Sequence, residues 1–579
     1  MRYSLLVISV GCILFGPRHA HAQPADLVPA DPDASTAYIW ADTYGQSPTS
    51  FTKGGWEVII DAYWGEGLPT DTKLQIFDDW WTEIDLRFGM FHNLDFDIFA
   101  FRDQYRPEIA AGVSRGRFAA IMSHFGYRLK DLHTWVYDTP VSFTPLNKGT
   151  PLLVVGQWGV NRHFGALLTP LPDSTLLVYR TVPNHPIGLE PGDIVLGYDG
   201  VPWNDLYPQL LDAELPLALN SFNAGTDEAN DYYLLQAAGL NWHLFDTIDI
   251  VKYGTGEAQH FQTGLLAGQT LNLWGSEQLD IPGVTWPPRL VDRVSWGVVD
   301  NTNIGYVYVT SWTFDPQYNI RVEFFNAIDS LMHHTETDGI ILDFRYNTGG
   351  GALAQDGLEL LFNEVTTTVG FKARRGTPDH FDLIEDPLRN WQNLIIQADP
   401  TTFYGKPIAV LIGPGAISAG ELEAIRTDFH PNARLFGRAA SGGNSGSDII
   451  TLHSDWFASR ASGPVYYRDT GELLSHLALQ PDEPVWFAQE DVANGIDTIV
   501  KAAMDWIATT TSTEDGQPGA GPLSLQVVAF PNPFQRSTSL SFDLPLAGHV
   551  RVVLYNSLGR RVAILMDEQH SAGEVQLFV

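Results

Sequence analysis

Between residues 300 and 508 short apolar runs alternate with segments of helical period, and this rhythm constrains the fold more than any other feature of the chain. Ile304 to Val309, Gly339-Ile-Ile-Leu342 and Pro407-Ile-Ala-Val-Leu-Ile412 read as strands, and a helical pattern near Val322 to Met332 separates the first two. Such alternation predicts an α/β layer.

Upstream the rhythm differs. Ile76, Trp80, Trp81, Ile84 and Phe88 recur at three and four, and Phe118, Ile121, Met122 and Phe125 repeat the pattern. Residues 36–149 are therefore expected to form a helical N-terminal domain with these aromatics in its core. Residues 150–272 turn to short strands such as Leu152 to Val155 and Leu176 to Tyr179, with turn signals at Glu190-Pro-Gly-Asp193 and Asp199-Gly200. A Leu- and Asn-rich, helical-looking insertion at 208–245 interrupts them. The α/β region covers 273–508, residues 509–521 are a flexible linker by composition, and 522–579 read as short strands, among them Val550 to Tyr555.

The chain of 579 residues carries 68 Asp and Glu against 34 Lys and Arg, a formal net charge of −34. That field repels phosphate backbones and anionic lipid, so neither nucleic acid nor a membrane surface is an expected partner. Arg2, the apolar stretch Leu5 to Phe15 and the small residues of Ala20-His-Ala22 read as a signal peptide over residues 1–22. The one cysteine, Cys12, falls inside it, so the mature chain must do its chemistry with oxygen or nitrogen. The leader is too short to span a bilayer and no later stretch approaches about 20 apolar residues, so no membrane span is expected. The expectation is a protein exported through a periplasm to the cell surface or beyond. His-Glu-x-x-His and calcium-loop spacings are absent, so no metal or other cofactor is expected.

Three stretches carry candidate chemistry. Residues 339–351, Gly-Ile-Ile-Leu-Asp-Phe-Arg-Tyr-Asn-Thr-Gly-Gly-Gly, resemble the Asp-x-Arg-x-Asn-x-Gly-Gly strand and turn of the C-terminal-processing and tricorn-type serine peptidases. Residues 413–421, Gly-Pro-Gly-Ala-Ile-Ser-Ala-Gly-Glu, resemble that family's nucleophile turn. Leu129-Lys-Asp-Leu-His-Thr134 is similar to the Leu-x-Asp-x-His-Thr that closes its helical domain, and Leu479-Gln-Pro-Asp-Glu-Pro-Val485 to its closing strand. The resemblance implies a multidomain α/β protein with a helical N-terminal domain, a PDZ-like β domain, a crotonase-like α/β peptidase core and a C-terminal β-sandwich.

Gly188-Leu-Glu-Pro-Gly-Asp193 is similar to a PDZ segment. By that likeness Phe164, Gly165, Ala166 and Leu167 form a carboxylate-binding loop, where an open sheet edge adds a peptide as a strand. A spacer that binds nothing is the plainer alternative.

Ser418-Ala-Gly-Glu421 is also a capping box, with Ser418 capping a helix and Glu421 reaching back. Both readings put a hydroxyl at a helix N-terminus, where free N–H groups and the dipole favour negative charge. The family resemblance implies Ser418 as nucleophile, with an oxyanion hole from the N–H of Ala419 and that of Gly349 or Gly350. Asp343 and Arg345 read as a structural ion pair.

A serine hydroxyl needs a base. Many family members supply a Lys at the position held here by Gly443, yet no Lys occurs between Lys406 and Lys501. Arg438 cannot substitute because guanidinium stays protonated. The tricorn-like branch uses a His from the helical-domain edge, which implies His133 as base, with Glu472 as its orienting acid and Asp131 as a second candidate.

The tail, with Phe530-Pro-Asn-Pro-Phe534, Leu540-Ser-Phe542, Gly559 and Ala572-Gly573, resembles a shortened type IX secretion sorting domain, which implies a secretion machinery as partner; a plain surface-binding sandwich is the alternative. The chain is thus expected to be an exported serine peptidase that hydrolyses peptides or unfolded proteins near chain ends. A non-catalytic peptide-binding surface protein on the same scaffold is the competing class. An extracellular glycosidase would draw only on abundant Trp and acids, with no carboxylate pair to place.

Overall fold

A computed structural model describes residues 53–514, apart from 157–163, 219–223, 267–278, 285–292, 334–335, 390–393 and 399–401, together with much of 528–578. The expected signal peptide and residues 515–521 of the expected linker lie outside the described residues, as do Pro531 to Phe534, Gly559 and Ala572 of the tail resemblance. The chain divides into two compact units at Thr509 and Thr510.

The first unit opens with helices α1 (Lys53–Trp64), α2 (Thr70–Arg87), α3 (Ile98–Ala111) and α4 (Arg115–Arg128). The apolar stripe of α2 is buried through Ile76, Phe77, Trp80, Trp81 and Ile84. It packs with Phe101, Phe118 and Phe125 into one core. Asp97 caps α3 by accepting the N–H groups of Phe99 and Ala100, and Ser114 caps α4 by accepting that of Arg117. After α4, Lys130 takes a φ of 46° and reverses the chain into β1 (Trp135–Asp138).

Next come β2 (Ala166–Pro170), β3 (Leu176–Thr181), β4 (Ile194–Tyr198), β5 (Thr247–Val251) and β6 (Ala258–Gln262), antiparallel neighbours in that order. Between β4 and β5 lie α5 (Trp203–Asp212) and α6 (Asp227–Gln236). The expected strand at Leu152 to Val155 reduces to a single bridge between Leu153 and Leu217.

The rest of the unit holds β7 (Val294–Val298), β8 (Ile304–Val309), α7 (Ile320–His333), β9 (Gly339–Asp343), α8 (Gln355–Leu361), β10 (Val369–Arg374) and β11 (Leu383–Glu385). There follow β12 (Ile408–Ile412), α9 (Ala419–Asp428), β13 (Ala433–Gly437), β14 (Ser445–His453), β15 (Trp456–Tyr467), β16 (Glu483–Pro484) and α10 (Thr498–Glu514). One sheet has the order β16-β13-β12-β9-β8-β7, parallel except for the β7–β8 pair. Its strands are continuous apolar runs because both faces are covered. Ile340, Leu342, Val410 and Ile412 pack on Phe324, Ile328, Leu358 and Ile425, whereas Ile341, Tyr306, Tyr308 and Leu411 pack on Ile499, Ala503 and Ile507. A second sheet runs β1-β15-β10-β11, with β14 also on β15. β1 therefore ties the helical region to the α/β core, with Trp135 opposite Ser459.

Helix α10 runs through Glu514, so residues 509–514 are helical where composition suggested a linker. Extending a helix already nucleated by packed Ile499, Ala503 and Ile507 costs little, even for Thr and Ser. The second unit carries Val528–Phe530, Ser539–Leu544 and Gly573–Phe578 in one sheet and the pair Gly548–Tyr555 and Arg561–His570 in another. Among the described residues no helix is long and apolar enough to cross a membrane.

Candidate active site

In an open parallel sheet the crevice lies beyond the carboxyl ends of the strands. There β9 runs into the Gly349 turn, β12 into Ser418 and β13 into the loop that reaches Ser445. His133 enters from the helical region, held by β1 and by the Ala461 N–H, which donates to Thr134 Oγ1 at 3.0 Å.

Ser418 stands at the head of α9 with φ 55° and ψ −120°, a conformation that side-chain-bearing residues rarely adopt. Its hydroxyl is half-buried and makes no capping hydrogen bond. It donates to His133 Nε2 at 2.9 Å, joining residues 285 positions apart. The capping-box alternative therefore fails, and Glu421 does not reach back to the Ser418 N–H. Its carboxylate accepts from the backbone N–H of Leu479 and Gly442 and from the Ser441 hydroxyl.

His133 Nδ1 lies 3.0 Å from Ser445 Oγ, and that hydroxyl donates to Asp131 Oδ1 at 3.2 Å. The direct distance from Nδ1 to Asp131 Oδ1 is 4.0 Å. Asp131 Oδ2 accepts the His133 N–H at 3.1 Å and the Thr134 hydroxyl at 2.6 Å, which fixes the turn that presents the imidazole. This network puts the ring proton on Nδ1 and leaves Nε2 an acceptor. Burial holds His133 below the usual imidazole range; Asp131 opposes that shift and Arg389 adds to it.

Glu472, the expected orienting acid, is not at the site. It is exposed on the turn after β15, where its N–H donates to Thr470 Oγ1 and its carbonyl accepts from Tyr467. The second candidate, Asp131, lies on the Nδ1 side of the ring, joined to it by hydrogen bonds through Ser445 Oγ. Sequence reading missed Ser445 because its partners lie 312 and 314 positions away. The one local signal was the Lys-free run Ser441-Gly-Gly-Asn-Ser445. A Cβ on Gly443, the position of the family Lys, would stand 3.0 Å from Leu132 Cβ, beside the turn that brings in the histidine.

The two candidate oxyanion glycines differ. The Gly349 N–H is already donated to Asn347 Oδ1 at 3.0 Å. Gly350 bridges Trp312 in parallel, with bonds from Trp312 N–H to Gly349 O and from Gly351 N–H to Trp312 O, so its own N–H faces away from that bridge. The Ala419 N–H belongs to the first turn of α9, whose donors have no partner within the helix. The Gly349 N–H is thus engaged and its Cα packs against Ser418, whereas the N–H groups of Gly350 and Ala419 are not used in these arrangements.

Asp343, Arg345, Asp497 and Tyr306 form a buried network behind the Gly349 turn. Arg345 binds both Asp343 oxygens and both Asp497 oxygens, and the Tyr306 hydroxyl donates to Asp343 at 2.6 Å. It is a structural clamp between β8, β9 and α10, remote from Ser418 Oγ in bonding terms.

Phe164, Gly165, Ala166 and Leu167 do not form an open loop. All four are buried: the Phe164 carbonyl binds His185 Nε2 at 2.9 Å, the Gly165 carbonyl accepts from Val182, and Leu167 packs with Tyr306 and Tyr308 of the core. The likeness falls on the end strand of its sheet, β2, whose five residues are all buried. Among the described residues no cluster of three or more His, Cys, Asp or Glu side chains is arranged to hold a metal ion.

The fold has solved counterparts. Mature CPAF in complex with lactacystin aligns over 77% of this chain and 98% of its own, at a TM-score of 0.53 and 14% identity. A serine-to-alanine mutant of CPAF aligns over 79% and 99%, at a TM-score of 0.56 and 14% identity. No curated protein matches the sequence. Residues 303–485, which span β9, the Gly349 turn, Ser418 and Ser445, match Peptidase family S41. The match covers the part of the chain that carries the candidate site, and it supports a serine peptidase.

Proposed function

We propose that the protein is an exported endopeptidase that cleaves unfolded or exposed chain ends, with Ser418 as nucleophile and His133 as general base. The observation that carries this reading is the 2.9 Å hydrogen bond from Ser418 Oγ to His133 Nε2, made by a serine at positive φ. Neutral His133 takes the Ser418 proton as Oγ attacks the scissile carbonyl. The N–H groups of Gly350 and Ala419 stabilise the oxyanion, and the imidazolium then protonates the leaving amine. As Nδ1 becomes part of a cation, its proton points at Ser445 Oγ, whose own proton points at Asp131; the relay orients the ring and stabilises its charge.

Labelling with a fluorophosphonate, followed by peptide mapping, is expected to modify Ser418 in the wild type and nothing in Ser418→Ala. Cleavage of denatured casein by the same two proteins is expected to follow the labelling. A Ser418→Ala variant that still cleaves would end this reading. Export is proposed on the leader alone; the secreted protein is expected to begin at Gln23, and an intact Met1 in a cytoplasmic fraction would count against it.

A further inference from the structure

Glu421 lies one helical turn beyond Ser418 in α9 and is fully buried. Oε1 accepts the Leu479 N–H at 2.8 Å, and Oε2 accepts the Gly442 N–H at 2.8 Å and the Ser441 hydroxyl at 3.2 Å. Ser441 Oγ also accepts the Gly443 N–H at 3.1 Å. Two backbone bonds tie the same loop in place, from Ala440 to Leu479 at 3.0 Å and from Ser441 to Ala416 at 3.3 Å. One carboxylate therefore joins the nucleophile helix, the segment before β16 and the loop that delivers Ser445 to His133 Nδ1.

Three donors aimed at two oxygens suit a carboxylate, an acceptor-only group; in this arrangement the acid form would set an O–H against a donor already there. Burial pushes the Glu421 acid up to about 7, opposed by those hydrogen bonds. The titratable groups that face it are Tyr233 from α6 and Tyr467 from β15, and burial keeps both phenols protonated near neutrality. Neither changes charge in the range where Glu421 does.

We propose that Glu421 is a positioning residue for the peptidase reaction: as a carboxylate it holds loop 441–445, and with it Ser445, in register with the Ser418 helix. It acts through Ser445 and His133 and touches neither substrate nor reacting atoms. The inference rests on the Ser418–His133 reading of the site.

The test measures kcat and KM against pH for the full chain on denatured casein, with fluorophosphonate labelling as a second readout. The wild type is expected to show an activity limb near pH 7 in addition to the His133 limb at lower pH. Glu421→Gln keeps the side-chain shape but turns an amide N–H₂ toward existing donors. It should lower kcat at least about tenfold with KM within about twofold, and abolish the limb near pH 7. Ser441→Ala removes one donor to the carboxylate, together with the acceptor of the Gly443 N–H, so the carboxylate is less stabilised and the limb should move to higher pH. Wild-type kcat and an unmoved pH profile in both variants, with the wild type labelled at Ser418, would overturn the Glu421 role alone. Absence of labelling in the wild type would overturn the catalytic reading and this inference with it.

Discussion

Gly349 lies so close to Ser418 that a Cβ on the glycine would stand 2.7 Å from Ser418 Cβ and 2.6 Å from the Ile417 carbonyl oxygen. At φ 80° the glycine also holds a conformation that L-residues avoid. Gly349→Ala is therefore expected to cost about 1–3 kcal/mol from backbone strain alone. It should also displace the nucleophile, and misplacement of about 1 Å is enough for a loss on the order of 10² in kcat. Thermal unfolding and the fluorophosphonate labelling rate measure the two effects separately. Labelling at the wild-type rate would show that the contact does not set the position of Ser418.

The strain at Ser418 itself gives a prediction of opposite sign. A non-glycine residue in this region costs about 1–3 kcal/mol, and glycine does not carry that cost. Ser418→Gly should raise the melting temperature while abolishing turnover, whereas Ser418→Ala should abolish turnover without the gain. Equal unfolding temperatures for the two variants would mean that no strain is held at this position.

Much of this was legible in the sequence. Apolar runs located β8, β9 and β12 to within a residue or two, because strands buried on both faces tolerate no polar interruption. The motifs at 339–351, 413–421 and 129–134 named Ser418, His133 and the glycine turn, since each depends on residues close together in sequence. Glu472 was misjudged and Ser445 missed for one reason. The partner of His133 Nδ1 is fixed by how β14 and β15 pair, and pairing between distant strands leaves no periodic signature. Gly349 and Gly350 were equivalent in sequence and became distinct only through the Asn347 side chain and the Trp312 bridge.

Of the two limbs expected in the wild type, the one set by His133 should lie below the usual imidazole value of about 6.5. His133 must be neutral to accept the Ser418 proton, so activity rises as pH passes upward through its pKa. Burial favours the neutral ring and moves that point down, with Asp131 opposing. The kcat/KM profile of Glu421→Gln, which keeps only the His133 limb, checks the sign, and a limb above about 6.5 in that variant would mean that Asp131 outweighs burial. His133→Ala should lose on the order of 10²–10⁴ in kcat.

The relay through Ser445 can be separated from the other work of Asp131. Asp131 also holds the His133 N–H and the Thr134 hydroxyl, so Asp131→Asn disturbs both the turn and the charge behind the ring. Ser445→Ala removes only the group that meets Nδ1. The serine variant should therefore lose about 10-fold to 10²-fold in kcat with KM little changed, and Asp131→Asn should lose more. With the carboxylate charge gone, the His133 limb should move to still lower pH in Asp131→Asn, because that charge is what raises it. If Asp131 acts on the ring through Ser445, the double variant should be little worse than Asp131→Asn alone, since residues in one network do not contribute additively. Losses that simply multiply would show two independent contributions, and the 4.0 Å separation between Nδ1 and Asp131 would then be bridged by the field of the carboxylate rather than by the serine.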